Sequence, residues 1–540
     1  MLDLKPLRYP VRYTTFFIAL GGLCFSLLLA LASGQGWGLC LLFAVLTGIG
    51  VHDLLQTHHA ILRNYPILGH MRFLLEFIRP EIRQYFIESE SEAAPFSRAQ
   101  RSLVYARAKG QSDKRPFGTQ LQVDDNGYEW ITHSLAPSTI ESANFRVRVG
   151  NTACSQPYDI SLFNVSAMSF GALSANAIMA LNQGAQMGGF AHDTGEGSIS
   201  RYHRIHGGDL IWEIGSGYFG CRDDQGKFSP ERFVEQAREP QVKMIEIKLS
   251  QGAKPGHGGV LPAAKVTPEI AEARGVPLGA DCVSPAAHSS FSTPIELLEF
   301  MQGLRELSLN KPVGFKLCIG HPWEWFGIAK AMLETRIIPD FIVVDGAEGG
   351  TGAAPLEFSD HMGMPLKEGL RLVHNTLVGI GMREHVKLGA SGKIINSFDI
   401  ARALALGADW CNSARGFMFA LGCIQAQTCH TGNCPTGVAT QDPQRQIALV
   451  VPTKAQRVKN FHEHTLLALK ELLQATGLQS PQQLKPHHFS HRLSNHETQT
   501  LAQLYPALSP GALLKDSFAK LPEPYKSHWA KAQANSFTPG

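Results

Sequence analysis

The sequence predicts an α/β protein built on a (β/α)8 barrel and preceded by a helical hairpin able to span a membrane. Three observations predict it. Between residues 157 and 452, short apolar or β-branched runs that end in Gly, Ser or Asp alternate with stretches at helical spacing, the pattern of parallel strands joined by helices. About eight such units suit a closed barrel, with a doubly wound sheet as the alternative topology. Glycine-rich and polar segments follow the strand runs directly, where a barrel of this kind builds its active site.

The hairpin comes first. Residues 14–32, TTFFIALGGLCFSLLLALA, contain nineteen residues without a charge, enough at 1.5 Å per residue to cross most of a ~30 Å hydrocarbon layer. A second apolar run, 37–51, follows after only Ser33 to Gly36, so both ends of the pair (1–55) emerge on one side. Lys5, Arg8 and Arg12 precede it, and Arg63 and Arg72 follow, a positive bias that expects the bulk of the chain in the cytoplasm, at the inner membrane. A cleaved signal peptide ending at Ala30-Leu31-Ala32 is the alternative, and the second apolar run argues against it. His52, Asp53, His58 and His59 are read as a wet interfacial face rather than a metal site.

Residues 56–156 are expected to form a helical collar and linker, because HHAILRNYPILGHMRFLLEFIRPEIRQYF repeats apolar positions at helical spacing. Within 157–452, strands are expected at 160–167, 190–194, 244–249, 313–318, 341–344, 386–390 and 408–412. Helices are expected at 172–187, 294–307, 323–335, 369–382 and 397–406. The tail, 453–540, reads as helical, then polar and proline-rich, with no further strand.

Composition excludes some classes. Lys+Arg 49 against Asp+Glu 46 gives a net charge of +3, too balanced for a nucleic-acid surface. Ten cysteines in 540 residues are too sparse for a disulfide scaffold, and Cys282, Cys318 and Cys411 lie in apolar runs as reduced core residues would. Cys423, Cys429 and Cys434-Pro435 are different. Their spacing lacks the C-x2-C pairs of a zinc ribbon, and three thiolates before a proline fit an iron-sulfur cluster better, with three unligated thiols as the other reading.

The strand ends carry the remaining chemistry. Ser166-Ala-Met-Ser-Phe-Gly-Ala-Leu-Ser174 follows the first expected strand, Asp193-Thr-Gly-Glu-Gly197 the second and Gln251-Gly-Ala-Lys-Pro-Gly256 the third. Later ends give Lys316, Asp345-Gly-Ala-Glu-Gly-Gly-Thr-Gly352, Ala390-Ser-Gly-Lys393 and Ser413-Ala-Arg-Gly416. Glycine clusters let backbone N–H groups approach a phosphate, and the last two clusters sit where this barrel binds phosphate. The 345–352 segment lacks the Gly-x-Gly-x-x-Gly spacing of a dinucleotide site.

Together AMSFGALS, DTGEG, QGAKPGHGG, GGTGAAPL, the three-cysteine run and CPTGVATQDP resemble the synthase domain of the glutamate synthase family. The resemblance runs from about Tyr158 to Arg445, and the hairpin and collar add a likeness to the short membrane-tethered glutamate-synthase-like proteins of bacteria. It implies FMN and a 3Fe-4S cluster, the cluster on Cys423, Cys429 and Cys434. FMN would lie against Met168, Ser169, Thr194, Lys316, Gly349, Gly350, Thr351, Gly392, Lys393, Arg415 and Gly416. Gln251, Gly252, Lys254 and Arg274 would bind a 2-oxoglutarate-like acid, two cations suiting a dicarboxylate. Lys254 and Glu196 would be the catalytic pair, Glu196 orienting ammonia or a proton transfer, with a salt-bridged structural glutamate as the other reading.

Two departures accompany the likeness. The family has GEGGQ where this chain has Gly256-His257-Gly258-Gly259-Val260, so an acid and an amide are missing from the substrate loop. The glutamine-cleaving domain and the C-terminal β-helix are also missing from the pattern, which implies that no ammonia is delivered internally. The implied reaction reduces the imine of 2-oxoglutarate to glutamate, or runs a related amino-acid oxidation, with an external electron donor or acceptor. Another FMN oxidoreductase of 2-oxo or 2-hydroxy acids, and a non-catalytic membrane scaffold, are the rival readings.

Overall fold

The computed structural model describes residues 11–91, 94–261, 263–515 and 518–540. Lys5 and Arg8 lie outside the described residues. The chain divides into two compact units at Arg98.

The first unit holds the hairpin. Thr14–Ser33 and Trp37–Leu55 are helices, both long and apolar enough to cross a membrane. Phe25, Leu28, Leu31 and Leu41 stay exposed. Gly22 allows close helix contact, since a Cβ there would stand 2.6 Å from the Phe43 ring. Asp53 is fully buried at the end of the second helix, where it accepts from Ile67 N–H at 2.9 Å and pairs with His70 Nε2 at 2.9 Å. Gly69–Ile82 continues as an amphipathic helix. His52, His58 and His59 are exposed.

The second unit is a closed eight-stranded parallel barrel. Its strands are β1 (Phe163–Val165), β2 (His192–Asp193), β3 (Leu210–Ile214), β4 (Val242–Lys248), β5 (Val313–Leu317), β6 (Phe341–Asp345), β7 (Lys387–Ser391) and β8 (Trp410–Ser413). Neighbours in sequence are neighbours in the sheet, and β8 pairs with β1 to close it. Helices such as Ala175–Gly188, Pro294–Leu307 and Pro322–Thr335 link the strands.

Three sequence expectations are corrected. β3 was not expected: Leu-Ile-Trp-Glu-Ile is short and carries a glutamate, yet all five residues are buried. Gln251-Gly252 therefore follows the fourth strand, not the third. The expected 160–167 strand is two elements, because Tyr158–Ser161 pairs antiparallel with Arg146–Val149 before β1 begins. That hairpin closes the N-terminal end of the barrel, packing Val147, Val149 and Ile160 against Ile211, Met244, Phe341, Val343 and Trp410.

The tail is not free of strands either. After the helix Val451–Ala475, the segments Phe489–Ser494 and Glu497–Thr500 form a hairpin that Glu129–Ile131 extends to three strands. Their partner lies some 360 residues earlier in sequence, so no local pattern announces the pairing. The long helix lies tight on Ala175–Gly188: a Cβ on Gly184 would stand 2.6 Å from Val458 Cβ.

Glu129 ties this sheet to the barrel helices. Its carboxylate accepts from Lys367 Nζ (2.5 Å), Arg402 Nη1 (2.5 Å) and His491 Nδ1 (3.0 Å). Burial alone would raise its pKa, but Arg402 and Lys367 overturn that and hold it at about 2. The stabilisation is present above the ordinary value and is lost as pH falls from about 4.5 towards about 2. Glu129→Gln is expected to remove an acid-labile component of at most about 3 kcal/mol, read as the change in urea midpoint between neutral and acid pH.

Candidate active site

The residues singled out from the sequence gather at the C-terminal ends of the barrel strands, on strand ends, loops and short helices. On one side these loops gather charge. Glu196 follows β2, Lys248 ends β4, and Lys254 and Arg274 stand on the long segment between β4 and β5. Lys248 Nζ lies 3.1 Å from Glu196 Oε2. Burial would raise the Glu196 pKa, but Lys248, Lys254 and Arg274 hold it at about 2, so this carboxylate is ionised at every working pH. Burial lowers the Lys254 pKa while Glu196 partly restores it. Two glycines let the chain close around Glu196: a Cβ on Gly259 would stand 2.8 Å from Oε1 and one on Gly215 3.0 Å from Oε2.

Arg274, 6% exposed, is held by four neighbours, among them Cys282, whose Sγ accepts from Nη1 at 3.5 Å. Its Nη2 donates to Phe170 O (3.2 Å) and reaches Ser169 Oγ (3.5 Å), and the guanidinium lies 5.3 Å above the Phe219 ring. This joins the loop after β1 to that after β2, where a Cβ on Gly197 would stand 3.1 Å from Nη2. Gly252 N–H donates to Asp345 Oδ2 at 2.7 Å, and Ala253 N–H donates to Ala347 O at 3.0 Å. A side chain on Gly252 would collide with Gly346 O, so only glycine permits that approach. Gln251 is half-buried beside it.

The opposite side gathers glycines and two cations. Gly346 N–H donates to Ser391 O at 2.8 Å, drawing the loops after β6 and β7 together. Arg415 Nη2 donates to Glu348 O at 2.8 Å, and a Cβ on Gly350 would stand 2.6 Å from Arg415 Nε. Gly392 and Lys393 hold positive φ, 145° and 51°; a non-glycine residue in that region is a strain that accumulates at binding sites. Burial pushes Arg415 down to about 10, and burial and Arg415 together lower Lys393. Neighbouring cations, one of which depresses the other, favour an anion beside them.

The remaining expected residues are less uniform. Gly349 faces Gly346 O and Asp345, Gly416 packs on Ser413, and Met168 and Ser169 sit against Gly195. Thr194 is fully buried and its hydroxyl is engaged, donating to Gly195 O and accepting from Glu213 N–H. Thr351 is exposed. Lys316 is buried inside the barrel, ion-paired to Glu213 and with its Nζ 3.2 Å from Glu246 Oε1. Lys248, Tyr218 and His288 were not singled out from the sequence. His288 joins Lys248 O (2.9 Å) to the Tyr218 hydroxyl (3.1 Å), and burial lowers its pKa to about 4. Lys248 directly precedes the quoted Gln251 motif, and that position was the available signal.

The three cysteines follow β8 on one loop. Burial pushes Cys423 up to about 12, with the charges of Cys429 and Cys434 adding to it. Cys434 goes the other way: backbone N–H groups at Ala439, Thr436 and Val438 outweigh burial and lower its pKa. Gln425 N–H donates to Cys423 Sγ at 3.4 Å, and Lys265 Nζ donates to Cys429 O at 2.8 Å. N–H donors aimed at sulfur stabilise thiolates, as metal ligands require. Cys282, Cys318 and Cys411 are buried and free, as expected.

The conserved region of glutamate synthase matches residues 127–479, from the strand at Glu129 through all eight barrel strands and the long helix. The chain belongs to the glutamate synthase family. It is 38% identical over 485 residues to the glutamate synthase large subunit-like protein YerD of Bacillus subtilis, covering 82% of this chain and 92% of that protein. It is 36% identical over 321 residues to the archaeal-type glutamate synthase (NADPH) of Thermotoga neapolitana, covering 59% of this chain and 60% of that protein. With the archaeal glutamate synthase (NADPH) of Methanocaldococcus jannaschii it shares 33% over 360 residues, 66% of each chain. The chain thus spans about two thirds or less of those two enzymes. Glutamate synthases are oxidoreductases acting on CH–NH2 donors.

Proposed function

We propose that this chain reduces the imine formed from 2-oxoglutarate and free ammonia to glutamate, using FMN and a 3Fe-4S cluster. The observation that carries the reading is the pairing, at one end of one barrel, of a cationic pocket around Glu196 with a glycine-lined cup holding Lys393 and Arg415. The cup fits the phosphate of FMN: Gly350 and Gly392 leave the space a Cβ would fill, and the two cations match its charge. Cys423, Cys429 and Cys434 would supply three thiolates to the cluster. When bound, FMN would supply the hydride and the cluster single electrons.

The chain's own residues do the rest. Condensation of ammonia with the keto group releases water, and two electrons and two protons then convert the imine to the amine. Arg274 grips one carboxylate, held in place by Phe170 O and the Phe219 face. Lys254 stands as a point charge at the keto or imino end, and Lys248 and Lys254 keep Glu196 ionised to orient ammonia or a proton transfer. His257, exposed with its Nδ1 against Gly258 O, replaces an acid of the family pattern and leaves the loop less negative beside a dianionic substrate. The two apolar helices would hold the protein at the inner membrane with the barrel in the cytoplasm, near an external electron donor or acceptor.

Protein purified anaerobically in detergent tests this. Near-stoichiometric FMN, about three irons per chain and reoxidation of the reduced flavin by 2-oxoglutarate plus ammonium are the expected results. FMN and iron without reoxidation would retain a redox enzyme of another 2-oxo or 2-hydroxy acid; no flavin would leave a scaffold. Cys434→Ser is expected to take iron below about one per chain and to bleach the visible cluster absorbance while FMN content is retained, measured by metal analysis and flavin release.

A further inference from the structure

One layer of the barrel interior is acidic. Two residues beyond Ile211 and Met244, which pack on the closing hairpin, stand Glu213 on β3 and Glu246 on β4, directly in register. With Asp193 at the end of β2 they form a group whose carboxylate oxygens lie within 4.8 Å of one another, all three residues buried. The sheet imposes this closeness. One cation faces the three acids: Lys316 of β5, paired with Glu213 Oε2 and 3.2 Å from Glu246 Oε1. The other charged groups around the layer are Lys248, engaged with Glu196, and Asp345 of β6, which accepts from Gly252 N–H.

The three acids are not equivalent. Glu213 has Lys316, and Asp193 Oδ1 accepts from Gly195 N–H at 3.0 Å. Neither oxygen of Glu246 receives a hydrogen bond, and both are sealed from solvent. An ionised Glu246 would be a buried anion beside two others with a share in one cation and no donor of its own, an arrangement that folded proteins avoid. A neutral Glu246 has an O–H, and Asp193 is the acceptor within reach. We propose that Glu246 carries a proton at neutral pH and donates a hydrogen bond to Asp193, so that two carboxylates, Glu213 and Asp193, rather than three face Lys316. Burial and the charges of Asp193 and Asp345 push the Glu246 pKa in that direction.

Glu246 is then a positioning residue. Left neutral, it spares Lys316 a third opposing anion, and Lys316 is a residue that the family likeness places beside the flavin; that consequence rests on the flavin reading, whereas the proton itself does not. Infrared spectroscopy of the full chain in detergent, in H2O and D2O, reads the proton directly. A protonated buried carboxylic acid absorbs above the amide band and shifts down on deuteration. The expected result is such a band at neutral pH, lost in Glu246→Gln and kept in Glu269→Gln, a partly exposed glutamate paired with Arg201. Asp193→Asn, which removes the acceptor, is expected to shift the band. Absence of any protonated-acid band in the wild type overturns the proposal, as does a band that survives in Glu246→Gln. Should that variant fail to fold, a band left unmoved by Asp193→Asn overturns it as well. Flavin-free protein serves equally, so failure of the flavin reading would show as missing FMN with the band intact.

Discussion

Lys254→Met is expected to lower kcat/KM for 2-oxoglutarate by about 30- to 1,000-fold, the loss of about 2–4 kcal/mol that follows truncation of one partner of a desolvated charge pair. Among the described residues Lys254 makes no side-chain hydrogen bond, while burial lowers its pKa and Glu196 alone pulls it back. A lysine desolvated without a fixed partner is poised for a ligand. Two readouts separate this from a structural effect. Flavin content is expected to be retained, because the cup around Lys393 and Arg415 stands on other loops. The alkaline limb of the wild-type pH profile should fall below the ordinary lysine value and vanish in the variant, because the depressed pKa sheds the binding charge early. Steady-state kinetics with flavin quantitation checks both.

Asp340→Ala is expected to destabilise the second unit by about 3–5 kcal/mol without touching the strand-end loops. Asp340 is fully buried at the N-terminal end of β6. Its Oδ2 accepts from Arg305 Nε (3.1 Å), Arg305 Nη2 (2.9 Å) and Val313 N–H (2.9 Å), and its Oδ1 accepts from Asn151 N–H (2.7 Å). Removing it strands a buried guanidinium and two backbone donors. The double variant Arg305→Leu, Asp340→Ala should lose less than the sum of its two singles, because no orphan charge remains. Chemical denaturation of the four proteins measures the cycle.

How far these sites could be read in advance differs residue by residue. Gln251, Gly252, Lys254, Glu196 and the glycines of 349–352 belong to strings with a local grammar, so their strand-end positions follow from order along the chain. Lys248 does not stand out, because a lysine closing an apolar run looks like an ordinary strand end; its role depends on Glu196, brought across the barrel mouth from β2. Glu213 hid β3 for the same reason. A glutamate inside an apolar pentamer reads as an interruption until a lysine from β5 is seen to pair with it. Arg274 could be proposed only through the family likeness, since Phe170, Ser169 and Phe219, which fix it, lie far away in sequence.

By itself the sequence determined the local and periodic features: the two apolar helices, the alternation that makes a parallel barrel, the glycine turns after its strands, and the three-cysteine loop. These rest on hydrophobic period and backbone sterics, which act between near neighbours. Only the tertiary structure decided the closing hairpin at Arg146–Val149 and Tyr158–Ser161, the sheet joining Glu129–Ile131 to Phe489–Ser494, and the ionised state of Glu196. Each of these is a pairing between distant segments, whose charge and burial exist only once the barrel has closed.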